Sequence, residues 1–307
     1  MASSEGMTSL QALSQNLAEV AERAGRSVVA IDARRRIPSS GVVWAKGVVV
    51  SADHTIRREE EITVTAHDGR KTPATLAGRD PTTDLAVLKA ENLDLPAAGI
   101  AGTDTLKAGN LAIAIGRAGH FGASMGVIAS LGEAWRTWQG GKIDRLIRPD
   151  ISIFDGFSGG PLVDVQGRVL GINTSGLSRR SAITIPSETV QRVVAELLEK
   201  GRIARAYIGA GLQPVDLPEI LRNSLKLSGT GGLVVMNTEP GGPAEKSGML
   251  LGDVLVSLDG AQVGDFSEVQ AKLTSGQVGK ALRATVIRGG ALAELTIVAG
   301  ERPALAR

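Results

Sequence analysis

The chain has 307 residues, of which 43% are apolar and 21% charged, a balance typical of a globular protein large enough for two domains. Lys and Arg total 34 against 32 Asp and Glu, and the basic runs are short, at 34–36 and 179–180. This argues against a nucleic-acid partner. The absence of cysteine excludes disulfides and thiolate metal sites.

No apolar run reaches the ~18 residues of a membrane span, and no basic region followed by an apolar core opens the chain. We therefore expect no membrane span and a cytoplasmic location, with an exported mature form as the alternative. No phosphate-binding Gly-rich loop is visible, and we expect neither a cofactor nor a metal.

The first 26 residues are predicted to form a helical segment. Leu10, Leu13, Leu17 and Val20 follow one another at helical spacing and form one apolar stripe, with Ser9 as the expected N-cap. The opposite face is not strongly basic, so we expect the stripe to pack on the protein itself or on a second copy of the chain rather than on a membrane.

Residues 27–201 are predicted to form a domain of short strands. About ten Val- and Ile-rich runs are separated by turns, which indicates an all-β barrel or sandwich. A helix over 187–200 then ends the domain, with Ser187 as its expected N-cap and Gly201 after its last turn. Residues 202–307 mix strands with two short helical stretches and are predicted to form a small α+β domain.

The segment 155–163 carries the strongest candidate for chemistry. Ser158 lies between glycines in a tight turn that leads into an apolar strand. Glycine allows the N–H groups of Gly156 and Ser158 to point to one side, where they could form an oxyanion hole. The alternative is a simple hairpin turn.

A serine nucleophile needs a base and an orienting carboxylate. His54 follows an apolar strand, whereas His67 lies in a predicted turn and His120 in a Gly-rich loop. Asp84 directly precedes another apolar strand and is expected to be partly buried. The order His54, Asp84, Ser158 within one β-rich region therefore predicts a catalytic triad. Taken separately, each of the three residues is also compatible with a structural role.

Three segments, 51–56, 78–89 and 156–163, resemble the catalytic motifs of the HtrA/Deg serine proteases, and the likeness extends over nearly the whole chain. The resemblance implies a chymotrypsin-like double β-barrel with the triad at the barrel interface. It also implies a serine endopeptidase acting on unfolded or extended polypeptides, often assembled as a trimer.

Two residues depart from the family pattern. Phe157 precedes the serine where the family usually has Asn, and an apolar residue there cannot form the buried salt bridge that activates digestive zymogens. Asp53 precedes His54 where the family commonly has a small or amide residue. An approach of Asp53 to the imidazole would raise the pKa of His54, but adjacent side chains at a strand end are expected to diverge.

The resemblance also suggests the substrate pocket. Ser152, six residues before the serine, occupies the position whose aspartate selects basic side chains in trypsin-like enzymes, so we expect small or medium aliphatic side chains instead. The remaining predicted pocket residues are Asn173, Thr174, Ser175, Ala182 and Ile183.

In the second domain, Tyr207, Ile208, Gly209 and Ala210 resemble the carboxylate-binding loop of PDZ domains, and residues 239–253 resemble the bacterial PDZ signature. Such a loop aims N–H groups at a peptide's terminal carboxylate while the peptide adds a strand to the sheet edge. The alternative is a plain strand entry. For the whole chain, the alternative to a protease is a weak or inactive relative that binds peptides as a chaperone or adaptor.

Overall fold

The computed structural model describes residues 8–178 and 182–302. Arg179 and Arg180, which form the second of the two basic runs, lie outside the described residues. The chain divides into two compact units, Met1–Ile203 and Ala204–Arg307. In the described ranges, no helix is long and apolar enough to cross a bilayer.

The first β-barrel of unit 1 closes in the order β1-β2-β3-β6-β5-β4. Its strands carry near-continuous apolar runs because both strand faces are buried. Val29 points into the barrel interior, whereas its neighbour Val28 packs in the core shared with the second barrel. The strands are β1 (Val28–Asp32), β2 (Ser39–Ala45), β3 (Val48–Ala52), β4 (Ile62–Thr65), β5 (Lys71–Asp80) and β6 (Leu85–Lys89).

The second barrel of unit 1 closes in the order β11-β14-β13-β12-β7-β8, and a two-stranded ribbon, β9 with β10, stands apart from it. Strand β8 is longer than the predicted run 126–130, because pairing with β7 also orders residues with no apolar pattern. The strands are β7 (Leu111–Arg117), β8 (Phe121–Gly132), β9 (Trp135–Arg136), β10 (Lys142–Ile143), β11 (Leu146–Asp150), β12 (Pro161–Val163), β13 (Val169–Thr174) and β14 (Ile183–Pro186).

Two helices flank the barrels, and both begin with a different cap from the one predicted. Helix α1 (Ser9–Gly25) is capped by Thr8, whose side chain forms a capping box with Gln11. Helix α2 (Ser187–Lys200) begins after Pro186 without a side-chain cap, because the Ser187 hydroxyl donates to the Ala101 carbonyl instead. Helix α2 packs on strands of both barrels.

Unit 2 is built on a sheet in the order β16-β17-β18-β20-β21, with β19 paired to β18. A second, two-stranded sheet joins β15 to β22. The elements of unit 2 are β15 (Ala206–Tyr207), β16 (Ala210–Asp216), α3 (Glu219–Leu225), β17 (Gly231–Thr238), α4 (Pro243–Lys246), β18 (Val254–Leu258), β19 (Ala261–Gln262), α5 (Phe266–Lys272), β20 (Ala281–Arg288), β21 (Ala291–Val298) and β22 (Gly300–Glu301). The prediction of a mainly β chain with a double barrel and a small α+β domain is confirmed.

Candidate active site

His54 lies in a 3₁₀ turn, Asp53–Thr55, directly after β3. The turn is clamped by Arg79, whose Nε donates to Asp53 Oδ1 at 2.5 Å and whose Nη1 donates to Glu59 at 2.7 Å. Burial disfavours the charge of Arg79, but these two carboxylates outweigh it and raise the pKa of Arg79. The Asp53 carboxylate therefore pairs with Arg79.

Asp84 lies between β5 and β6 with a φ of +59°, a left-handed conformation that Asp tolerates better than most residues. The loop before it is held by the buried Asp80, which accepts hydrogen bonds from the hydroxyls of Thr82 and Thr83. Asp80 therefore supports the loop that presents Asp84.

The Asp84 carboxylate is buried and fully engaged. It accepts from the His54 backbone N–H at 2.8 Å and lies 2.8 Å from His54 Nδ1, and the Thr174 hydroxyl donates to its Oδ2. A carboxylate at Nδ1 favours the tautomer that leaves Nε2 unprotonated and able to accept a proton. A Cβ on Gly176 would lie only 2.6 Å from Asp84 Oδ2, so the pair requires glycine there.

The loop that carries Ser158 belongs to the second barrel. Gly156 has a φ of +86°, and its carbonyl oxygen accepts a hydrogen bond from the Ser40 hydroxyl, 2.7 Å away. Among the described residues, the N–H groups of Gly156 and Ser158 donate to no acceptor. Two neighbouring unpaired N–H groups beside a serine hydroxyl are what an oxyanion hole requires.

Phe157 anchors this loop in the core of the second barrel. Its side chain is buried and meets the exposed Phe154 edge-to-face, with ring centroids 5.4 Å apart. The ring occupies space that Gly116 and Gly122 leave open, since a Cβ on either would lie within 2.9 Å of it. The departure from the family pattern at this position is thus matched by small residues around it.

His54 and Ser158 line one cavity of about 350 Å³. No hydrogen bond joins them in the described chain, and the Ser158 hydroxyl lies 3.2 Å from the Ser175 hydroxyl. Catalytic hydrogen bonds commonly tighten only when substrate binds, so this arrangement is compatible with the triad. The other lining residues are Arg34, Arg36, Ile37, Ile153, Phe154, Asp155, Gly156 and Ser175.

The structure brings only Ser175 of the predicted pocket residues to this cavity. Ser152 is exposed outside the cavity lining, and Asn173 is buried, with its carbonyl accepting from the Gly159 N–H. The Thr174 hydroxyl donates a hydrogen bond to the Asp84 carboxylate instead of facing the cavity.

Ala182 and Ile183 also lie outside the lining, with Ile183 buried in β14, where it pairs with Thr174. The sequence analysis missed Ile153 and Phe154, which adjoin Ser152 and line the cavity. Strand alternation predicts which side chains share a face, but residues 151–154 lie outside the strands, so no such signal was available for them.

In unit 2, Tyr207 ends β15 and Ala210 begins β16, so the predicted carboxylate-binding loop is a turn centred on Ile208 and Gly209. Gly209 has a φ of +70°, and Ile208 is buried. Within residues 8–178 and 182–302, the N–H groups of Ile208 and Gly209 donate to no acceptor. The same described ranges contain no group of three or more acidic or histidine side chains arranged to hold a metal.

Comparison with protein families identifies both units. Residues 39–172 match the trypsin-like peptidase domain, which includes all three triad candidates, and residues 206–298 match the PDZ domain. The PDZ match and the family relatives are consistent with peptide binding and with the oligomerisation typical of such proteins.

The chain is 32% identical over 271 residues to a periplasmic serine endoprotease, DegP-like, of Chlamydia pneumoniae, covering 85% of this chain and 54% of the relative. It is 31% identical over 261 residues to a periplasmic serine protease, do/HhoA-like, of Haemophilus influenzae, covering 82% and 55%. The chain thus spans about half the length of these relatives. These relatives are named as periplasmic proteins, which contradicts the expectation of a cytoplasmic chain, and that expectation is wrong.

Solved structures agree with this relationship. The HtrA-type protease AlgW with a tripeptide is 31% identical with a TM-score of 0.74, over 94% of this chain and 98% of that one. A serine endoprotease from Yersinia pestis is 27% identical with a TM-score of 0.75, over the same shares. From its two matched domains and these relatives, the chain belongs to the HtrA family of serine proteases.

Proposed function

We propose that this chain is a serine endopeptidase that hydrolyses unfolded or extended polypeptides in protein quality control. The observation that carries the proposal is one cavity lined by Ser158, by the unpaired N–H groups of Gly156 and Ser158, and by His54, whose Nδ1 lies 2.8 Å from Asp84. We assign the chemistry to residues 27–201 and peptide recognition to residues 202–307.

In the proposed mechanism, Ser158 Oγ attacks the peptide carbonyl while His54 Nε2 accepts its proton. Asp84 stays ionised, holds the imidazole through Nδ1 and stabilises the imidazolium. The N–H groups of Gly156 and Ser158 bind the oxyanion, and His54 then protonates the leaving amine. A water molecule, deprotonated by His54, hydrolyses the acyl-enzyme and regenerates Ser158.

Cleavage of unfolded casein by the wild type and by Ser158→Ala at equal concentration tests this proposal. Loss of the nucleophile is expected to lower the rate by several orders of magnitude. Equal cleavage by both proteins would identify a contaminant and remove the catalytic assignment. Ser178→Ala, a serine outside the cavity lining, is the matched control and is expected to cleave like the wild type.

A second candidate, a weak protease that acts mainly as a peptide-binding chaperone or adaptor, is favoured by one contact. The Ser158 hydroxyl faces Ser175, and no hydrogen bond to His54 is present among the described residues. A fluorophosphonate probe distinguishes the two, because it labels a serine activated by its base. Rapid labelling of the wild type supports the protease, and labelling no faster than that of His54→Ala supports the adaptor.

For unit 2, we propose that the turn at Ile208 and Gly209 binds the C-terminal carboxylate of a peptide. Among the described residues, strand β16 pairs in its sheet only with β17. Its other side is therefore left open by this part of the chain to an added strand, and α5 lies beside it. Peptides with a free C-terminus are expected to bind more tightly than their amidated forms. Equal affinities by fluorescence anisotropy would exclude carboxylate recognition.

We further propose an exported homo-oligomer, in the form of a trimer or a multiple of one. The relatives are named periplasmic, and in helix α1 Leu10 and Leu13 are 77% and 46% exposed, whereas Leu17 and Val20 pack on the core of unit 1. Leu10→Glu with Leu13→Glu is therefore expected to reduce the mass measured by light scattering to that of one chain. An unchanged mass would exclude this helix from assembly.

A further inference from the structure

The loop between β1 and β2 places part of the basic run 34–36 at the catalytic cavity. Arg34 and Arg36 line the same cavity as His54 and Ser158. Arg35, between them, is exposed and outside the lining. The run therefore presents two of its three side chains to the space in which the scissile bond must lie.

Arg34 is held in place by its own loop. Its Nε donates to the Ile37 carbonyl at 2.5 Å and its Nη2 to the Pro38 carbonyl at 3.3 Å. Burial lowers the pKa of Arg34, and Asp155 opposes this shift. The guanidinium is thus partly desolvated beside one carboxylate, an environment that a further negative charge would stabilise.

Arg36 supplies a charge that no direct contact in the described chain neutralises. It is exposed and makes neither a hydrogen bond nor an ion pair with any described residue. Asp155 is the one carboxylate of the lining and lies close to Arg34. With one carboxylate for two guanidinium groups, the lining carries a net positive charge on the side of this loop.

On the basis of the proposed endopeptidase function, we infer that Arg36, supported by Arg34, forms a subsite for an acidic side chain of the substrate near the scissile bond. A guanidinium presents a planar pair of N–H donors that matches a carboxylate, so Glu or Asp can bind in a bidentate manner. The apolar lining of Ile37 and Phe154 accommodates the stem of such a side chain. We then expect the preferred substrates to be polypeptides whose acidic residue reaches Arg36 when the scissile bond lies at Ser158.

Matched fluorogenic peptides that carry Glu, Gln or Lys at each position around the scissile bond test this subsite. At one position, the wild type is expected to cleave the Glu peptide about fivefold faster in kcat/KM than the Gln peptide, a difference that high salt reduces. Arg36→Gln is expected to abolish the difference, and Arg36→Glu to favour the Lys peptide. Arg35→Gln, in the same loop but outside the lining, is the control that retains the wild-type preference.

Equal cleavage of Glu and Gln peptides at every position, or a Glu preference that survives Arg36→Gln, overturns the inference while leaving the endopeptidase proposal intact. If no peptide is cleaved, the endopeptidase proposal fails, and binding of the same peptides to Ser158→Ala still tests the subsite. Tighter binding of the Glu peptide, lost in the double variant with Arg36→Gln, supports it. Equal binding of Glu and Gln peptides, or no binding, refutes it.

Discussion

The two barrels of unit 1 hold their parts of the site by different means. The first barrel presents His54 and Asp84 through carboxylates: Asp53 is paired with Arg79, and Asp84 accepts three hydrogen bonds. The second barrel presents Ser158 through backbone conformation and packing, with Gly156 at positive φ and Phe157 buried behind the loop. Catalysis should therefore be sensitive to changes in charge in the first barrel and to changes in side-chain volume in the second barrel.

Removing the charge of Asp84 tests the first barrel most directly. Asp84→Asn keeps the shape of the side chain but no longer holds the productive tautomer of His54, so kcat is expected to fall about 10⁴-fold, as in the general Ser-His-Asp template. Casein or peptide cleavage measures the effect. Asp32→Asn, which removes an exposed ion pair with Arg58, is the control and should leave kcat unchanged.

Adding one methyl group to Gly156 is the corresponding test of the second barrel. A Cβ there would lie 2.2 Å from the Ala118 Cβ, and the φ of +86° disfavours any side chain. Gly156→Ala is expected to displace an oxyanion donor and to lower kcat about 100-fold or more.

The matched control is Gly119→Ala, because Gly119 also has a positive φ but no atom near its Cβ position. If both variants lose the same activity, the backbone strain alone is responsible, and the close packing behind Gly156 is unimportant.

Phe157 should be the main source of stability in the serine loop. Truncation of a buried phenylalanine costs about 3–5 kcal/mol, so Phe157→Ala is expected to lower the thermal midpoint of unit 1 markedly. Its edge-to-face partner Phe154 is 57% exposed, and Phe154→Ala should cost only about 1 kcal/mol. A Phe157→Ala protein as stable as Phe154→Ala would mean that the loop is held by its backbone alone.

Loss of the Arg79–Asp53 ion pair at the His54 turn should have a smaller effect than the substitutions at Asp84, Gly156 and Phe157. Arg79→Gln leaves the buried Asp53 carboxylate without its cation, at an expected cost of ~2 kcal/mol because Arg79 is itself partly exposed. The double variant with Asp53→Asn should recover much of that loss. Glu59→Gln removes only the exposed outer partner and is expected to change the thermal midpoint little.

Local residue patterns were sufficient to predict the fold class and the family of this protein. Short Val- and Ile-rich runs predicted an all-β barrel or sandwich. Three short motifs indicated the HtrA family, whose resemblance implied the double barrel, and named His54, Asp84 and Ser158 as the candidate triad. The fold class and the family were predicted correctly because strand pattern and turn chemistry depend on neighbouring residues, whereas the triad stays a prediction. The cytoplasmic location was wrong because it was inferred from the lack of an export pattern, and such an absence does not establish a compartment.

The contacts between distant residues were decided only by the tertiary structure. Arg79 reaches Asp53 from another strand, Gly116 and Gly122 leave space for Phe157, and Arg36 meets the serine's cavity from a loop more than a hundred residues earlier. The sequence by itself determined the barrels, the PDZ domain and the candidate triad. Barrel closure determined which side chains surround that triad, because it brings together residues that no local spacing relates.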